Sequence, residues 1–362
     1  MTEPASPNLS PTPQQPESGP SEQELEAILA HSTHWVSALG QGIRLAGQTA
    51  AIGVPFSLAF GLVSGLVGYR VLQAGIAAKD APPATIDLYG QITLAIGALA
   101  AVYAVIQFSK RTRVTRASWW PALLAAPFLL LAGAFALIES GQMRQLAPVV
   151  LSLFGMSWAL LWQSFGGAAV AVAWLIAGKR AFDGESIGFG EVLEKVRERT
   201  LDVAGPHGAR VHAVTIGIQL LLPGIFYALQ LAFTDMVAVF DPERGALSRS
   251  GTLTYNLRGK LFRMMFVWYL LGTLVTLGVA LPIEGATTGS AALEKFQELM
   301  LDPSSPSQAT YVIQEVLWAL FSWVLTLSLM VLYLEREGKM QARAALKKLR
   351  AASTSKATSG PG

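Results

Sequence analysis

Apolar residues in this chain gather into long runs separated by short polar segments, the pattern of helices that each cross a bilayer. Six runs, Leu45–Gly68, Tyr89–Phe108, Trp119–Ile138, Ala147–Ala177, Leu261–Ile283 and Val312–Leu334, predict six spanning helices. The run from Ala147 is longer than a core of roughly 30 Å requires, so it must tilt or project. A seventh run, Val211–Phe240, is interrupted by Pro223-Gly224. Its first limb, Val211–Leu222, is about 18 Å long as a helix, too short for the full core. Proline removes a backbone donor and glycine accepts unusual dihedrals, so a turn inside the membrane is easy there. The expected fold is therefore all-α: a polytopic bundle of six spanning helices over 44–334, with a re-entrant hairpin at 211–240 and interfacial amphipathic helices.

The flanks carry a different periodicity. Residues 1–20 hold six prolines and read as a disordered tail. Ser21 and Glu24 form a capping box, and Leu25, Ile28, Leu29, Trp35, Val36 and Leu39 recur at helical spacing, predicting an amphipathic helix over 21–43. A second such helix is expected over Ser186–Leu201, and a short one over Pro242–Thr254 with Asp241 as its N-cap. Leu293, Phe296, Leu299 and Met300 predict a further surface helix in the Glu284–Tyr311 connection. The tail, 335–362, stays helical through Lys348 and then becomes Ser-, Thr- and Gly-rich.

Composition agrees with this class: 52% of residues are hydrophobic, 14% are charged, and mean hydropathy is +0.44. Placement of charge then sets orientation. Of 27 Lys and Arg residues, 21 lie in four groups: Lys110–Arg116, Lys179–Arg210, Arg244–Lys260 and the tail after Leu334. If Val211–Phe240 turns back, all four groups and both termini face the cytoplasm of a bacterial inner membrane. If it crosses, the last two groups move outside. No basic residue precedes Arg44, so the start does not read as a signal peptide.

The sequence SIGFGEVLEKVRERTLDV, then LLPGIFYALQLAF, then ERGALSRSGTLTYNLRGKLFRMM, resembles the membrane domain found beside some bacterial glycerophosphoryl diester phosphodiesterases and in related polytopic proteins, over about Ser186–Thr276. Its most specific parts are Pro223-Gly224 and the pattern Ala246-Leu247-x-Arg249-Ser250-x-x-Leu253-Thr254. The resemblance implies a multi-helix inner-membrane protein. It brings no catalytic residues, because the phosphodiesterase chemistry of such fusions lies in a separate soluble domain.

Candidate chemistry is sparse. Cysteine is absent, which excludes thiolate nucleophiles, thiolate metal sites and disulfides. No HExxH, Walker A or GxSxG sequence occurs. Of His31, His34, His207 and His212, the first two form an i, i+3 pair that reads as solvated rather than ligating, and neither metal nor cofactor is expected. Gly53, Ser57, Gly61 and Gly65 recur every fourth residue and predict close helix packing, as does Gly166-Gly167. Arg249, Ser250, Arg258 and Lys260 are candidates for binding anionic lipid headgroups or a membrane-protein partner; nucleic acid is not an expected partner. Gln163, Gln219, Gln230, Asp235 and Glu315 could line a polar pathway, since polar groups within spans mark transport routes. Three functional classes follow: a non-enzymatic protein binding lipid or a partner, a small-solute channel or transporter, and a lipid-modifying enzyme using Asp235 or Glu315 as acid or base.

Overall fold

A computed structural model describes residues 20–77, 147–218, 222–285, 289–301 and 306–358, with scattered helical positions between 90 and 134. Among the described residues the secondary structure is helical throughout: α1 (Glu22–Ala30), α2 (Trp35–Gln48), α3 (Ala50–Ala77), α4 (Ala147–Phe182), α5 (Phe189–Ile218), α6 (Leu222–Gln230), α7 (Thr234–Phe240), α8 (Ala246–Thr254), α9 (Arg258–Ile283), α10 (Gly289–Leu301) and α11 (Gln308–Thr358). Five stretches are long and apolar enough to cross a membrane: Ala50–Arg70, Leu161–Phe182, Pro223–Phe240, Arg258–Ile283 and Gln308–Ala351. The expected spans at 89–108 and 119–138 lie largely outside the described residues.

The chain forms two compact units, Thr33–Leu334 and a smaller one built from the two ends, Met1–Ser32 with Glu335–Gly362. In the larger unit, small residues decide how closely helices approach. A Cβ on Gly61 would lie 2.5 Å from the Val316 Cα, and one on Gly65 would lie 2.7 Å from the Val312 Cα. The predicted ridge on α3 is thus the seam along which α11 packs antiparallel, backbone against backbone. Trp162 Nε1 donates to Ser64 Oγ across α3 and α4 at 2.8 Å, and the Phe60 and Trp162 rings stack beside it. Trp268 Nε1 donates to the Phe321 carbonyl at 2.8 Å, tying α9 to α11.

In the smaller unit the capping box at Ser21 and Glu24 is present. Leu25 buries against Ala342 and Leu346, while Arg350 bridges Glu22 and Glu26 at 2.8 Å each. The apolar contact carries this packing, because exposed ion pairs contribute little.

Several expectations need correction. The amphipathic helix over 21–43 is two helices, because His31 ends α1 and His34 caps α2, its ring accepting from Val36 N–H. The two histidines therefore flank a break and do not share one helical face. Most of the amphipathic segment, from Phe189 to Leu201, and the limb from Val211 to Ile218 are parts of one helix, α5, which carries Pro206 within it. Asp241 ends α7 and caps no following helix; its carboxylate pairs with Arg244 at 3.1 Å, and α8 starts only at Ala246. The surface helix between Glu284 and Tyr311 is present as α10.

Glu284 closes the α9–α11 end of the bundle. Its Oε1 accepts from Ser307 N–H at 2.8 Å and from the Thr310 hydroxyl, and Lys295 of α10 lies 3.8 Å from Oε2. Burial pulls this carboxyl upward, but the Thr310 and Ser307 bonds and the Lys295 charge hold it net below its ordinary value of 4.5. A carboxyl lowered in the folded state stabilises fully above its unfolded pKa, and that contribution is lost as pH falls through the lowered folded value. Thermal denaturation in detergent should therefore show the wild-type midpoint falling below pH 4.5 more steeply than that of Glu284→Gln, the two differing most near neutrality. Parallel pH profiles would remove this role for Glu284.

Candidate functional site

α5 and the α6–α7 segment lie antiparallel. A Cβ on Gly217 would come within 2.8 Å of Gly224 Cα, and farther from the turn His207 meets Asp235 at 3.0 Å. α5 ends at Ile218 and α6 begins at Leu222, so Pro223 sits in the first turn of α6, where a missing N–H is harmless. Gly217 is needed for contact with Gly224, because any side chain at 217 would strike the backbone of Pro223 and Gly224.

A second interruption follows at residues 231–233. Its freed backbone groups are satisfied from α8. Ser250 Oγ donates to the Gln230 carbonyl at 2.9 Å and accepts from Phe233 N–H at 3.1 Å. Thr254 Oγ1 also donates to the Gln230 carbonyl, at 3.2 Å. In an apolar interior each such group would otherwise cost several kcal/mol, on the order of 2–7 without a partner. The break turns α7 so that Asp235, in its first turn, faces α5.

There Asp235 Oδ1 meets His207 Nδ1 at 3.0 Å and Oδ2 meets Arg210 Nη2 at 2.9 Å. The His207 and Asp235 side chains are 7% and 8% exposed, and Arg210 is 29% exposed. As a carboxylate Asp235 can only accept, so Nδ1 carries the imidazole proton and donates it. Arg210 Nη2 lies 3.4 Å from the same Nδ1; with both atoms donors, that approach is proximity imposed by the shared carboxylate. The neutral imidazole then offers Nε2 as an acceptor. This atom faces α4 at Gly167, where a Cβ would intrude to 2.5 Å.

Polar groups from neighbouring helices gather at this level. Along α4, Trp162 bonds Ser64, Ser164 abuts Gly208, and Gly167 abuts His207, all within about 7.5 Å of helix axis. Gln163 is half-buried between them, and the backbone of Glu315 lies against Gly61, one turn from Ser64.

Of the residues proposed for a polar pathway, Asp235 belongs to the cluster, Gln163 lies one turn before Gly167 on α4, and the Glu315 backbone lies against Gly61 of α3. Gln230 caps the break through its carbonyl, its side chain lying beside Gly251, and Gln219 lies outside the described residues. Of the headgroup candidates, Ser250 is fully buried and engaged in the break. Lys260 Nζ donates to the Thr33 carbonyl at 3.1 Å, Arg258 lies over the Phe226 and Tyr255 rings at 4.8 and 5.4 Å, and Arg249 is half-buried. His207 and Arg210 carried no weight in the sequence reading. The signal that finds them is the reversal itself: residue 221 is midway between 207 and 235.

Comparison with known proteins adds nothing to this geometry. No family model matches the chain, and neither a curated protein nor a solved structure matches it.

Removing one partner of a buried ion pair strands the other, at a cost of about 3–5 kcal/mol. Asp235→Asn and Arg210→Gln should each lower the denaturation midpoint of the purified protein. Combined, they should cost less than the sum of the two, because no charge is stranded. Strict additivity of the two in a double-mutant cycle would show that the groups do not act as a pair.

Proposed function

We propose that this chain is a multi-pass protein of the bacterial cytoplasmic membrane, with both termini cytoplasmic, that moves a small solute or ion through its bundle past the His207–Asp235–Arg210 cluster. The observation that carries this reading is the cluster itself. Asp235 lies in the membrane-length stretch Pro223–Phe240 and is buried against His207 and Arg210 of α5; an ionisable group in such a stretch is costly and characteristically lines a transport route or proton relay.

The topology is supported from several directions. α3 runs antiparallel to α11, α9 runs antiparallel to α11, and α5 is reversed by α6–α7. Lys179 and Arg180 at the end of α4 adjoin Glu191 at the start of α5, Arg180 meeting it at 3.4 Å. α1 packs on α11 residues 342–350, which places the two ends of the chain on one side. Six spans with a re-entrant 211–240 satisfy all of these, and they leave the basic segments on the face that the positive-inside rule assigns to the cytoplasm.

A second reading, binding of anionic lipid or a partner, is favoured by Arg258. Its guanidinium is flanked by Phe226 and Tyr255, which are themselves 45% and 68% exposed, an arrangement suited to a headgroup at an aromatic interface. The resemblance over Ser186–Thr276 is compatible with either reading.

Because the chain has no cysteine, single cysteines at Ser248, Thr288 and Ser355 report sidedness directly. Impermeant thiol labelling of vesicles should place Ser248 and Ser355 together and Thr288 opposite; Ser248 opposite Ser355 would exclude the re-entrant topology. For transport, stopped-flow light scattering of proteoliposomes after gradients of potassium chloride, potassium acetate or glycerol should show protein-dependent volume change that Asp235→Asn abolishes. Traces matching protein-free vesicles with every probe, with no protein-dependent change in luminal pH either, would refute it. For the second reading, Arg258→Glu should lower the phosphatidylglycerol retained by the purified protein in native mass spectrometry, and unchanged retention would count against it.

A further inference from the structure

We infer that the ion moved is the proton, and that it travels on Nε2 of His207; this rests on the transport reading above. The assignment follows by asking which atom of the cluster can exchange a proton. Arg210 does not deprotonate in proteins. Asp235 has both oxygens engaged, Oδ1 by His207 and Oδ2 by Arg210. The Nδ1 proton of His207 is held by Asp235. Nε2 remains: a basic lone pair on a ring fixed in tautomer and orientation by a carboxylate, the arrangement in which imidazole accepts and releases protons.

The surroundings of the ring are suited to that exchange. α4 meets it with Gly167, which sets backbone and no side chain of its own against Nε2, and α4 carries no ionisable group within a turn of Gly167. Ser164, whose hydroxyl lies against Gly208, is the nearest polar residue on the same helix. Of the other elements packed on α5, α7 contributes Asp235, α6 carries no acid or basic side chain, and α8 carries Arg249. Tyr269 of α9 lies within electrostatic reach of Arg210.

The charge balance is simple. With imidazole neutral, Asp235 and Arg210 cancel and the cluster has no net charge. Uptake of one proton forms one N–H bond at Nε2 and raises the cluster to +1; release breaks that bond and restores neutrality. No electron changes hands.

The test uses the full-length protein in proteoliposomes loaded with pyranine, with a potassium gradient and valinomycin setting an inside-negative potential. Wild type should acidify the lumen. His207→Asn, whose amide N–H keeps the bond to Asp235 but offers no titrating nitrogen, should slow acidification by about 100-fold while leaving the denaturation midpoint near wild type. Gly167→Ala, whose Cβ would press on Nε2 without removing it, should slow it as well, and the denaturation midpoint of each variant separates lost exchange from misfolding. Acidification by His207→Asn at the wild-type rate overturns the inference. Volume change with chloride, acetate or glycerol but no acidification overturns it and leaves the transport reading standing; absence of both removes the two together.

Discussion

The structure of the larger unit depends on the pairing of one carboxylate with two donors across a chain reversal. Asp235 fastens α7 to α5 through His207 and Arg210, and without that pairing α7 would be a seven-residue segment held by apolar contact alone. In an aqueous protein such a pair would be a modest and often replaceable feature. With Asp235 and His207 buried, losing one partner leaves a polar group without its bond, and this one-sided penalty holds the reversal in a single register.

The same rule, that no polar group may be abandoned in the interior, accounts for α8. The break at 231–233 directs Asp235 toward α5, but it frees the Gln230 carbonyl and the Phe233 N–H. Ser250 and Thr254 restore both. Side chains that look, as a sequence, like part of a basic surface segment are therefore internal fittings for a helix interruption about twenty residues earlier. Arg249, just before Ser250, faces elsewhere because adjacent positions on a helix point about 100° apart.

How much of this was legible depends on what each signal measures. The α3 ridge, the span at Arg258–Ile283 and the capping box at Ser21 are local patterns, and each reappears in the structure because helix periodicity and capping act over a few residues. Pro223-Gly224 marks the neighbourhood of the reversal correctly but not its place: proline begins a helix more readily than it forms this turn, and glycine serves a contact seven residues back at Gly217. The second break, at 231–233, has no punctuating residue at all, since Leu231, Ala232 and Phe233 are ordinary helix or core residues; only a hydroxyl from another helix makes it affordable. His207 and Arg210 were hidden for a related reason. They sit in a helix of mixed polarity whose first half is amphipathic, and their value comes from a partner 28 positions away in His207's case.

Stability alone does not require the cluster. Buried ion pairs replaced wholesale by well-packed apolar residues are often neutral or more stable, by roughly 1–4 kcal/mol. An aspartate, an arginine and a histidine at this place are thus a costlier way of closing α5 on α7 than the glycine contact already present at Gly217 and Gly224. Nor would a fastening need a histidine, because Asp235 and Arg210 already balance and imidazole contributes a bond that an asparagine or serine could supply. What imidazole adds, and those substitutes lack, is a second nitrogen. That nitrogen is turned toward Gly167 of α4, which sets backbone rather than a side chain against it, and a second nitrogen so placed is something a simple clasp would not require.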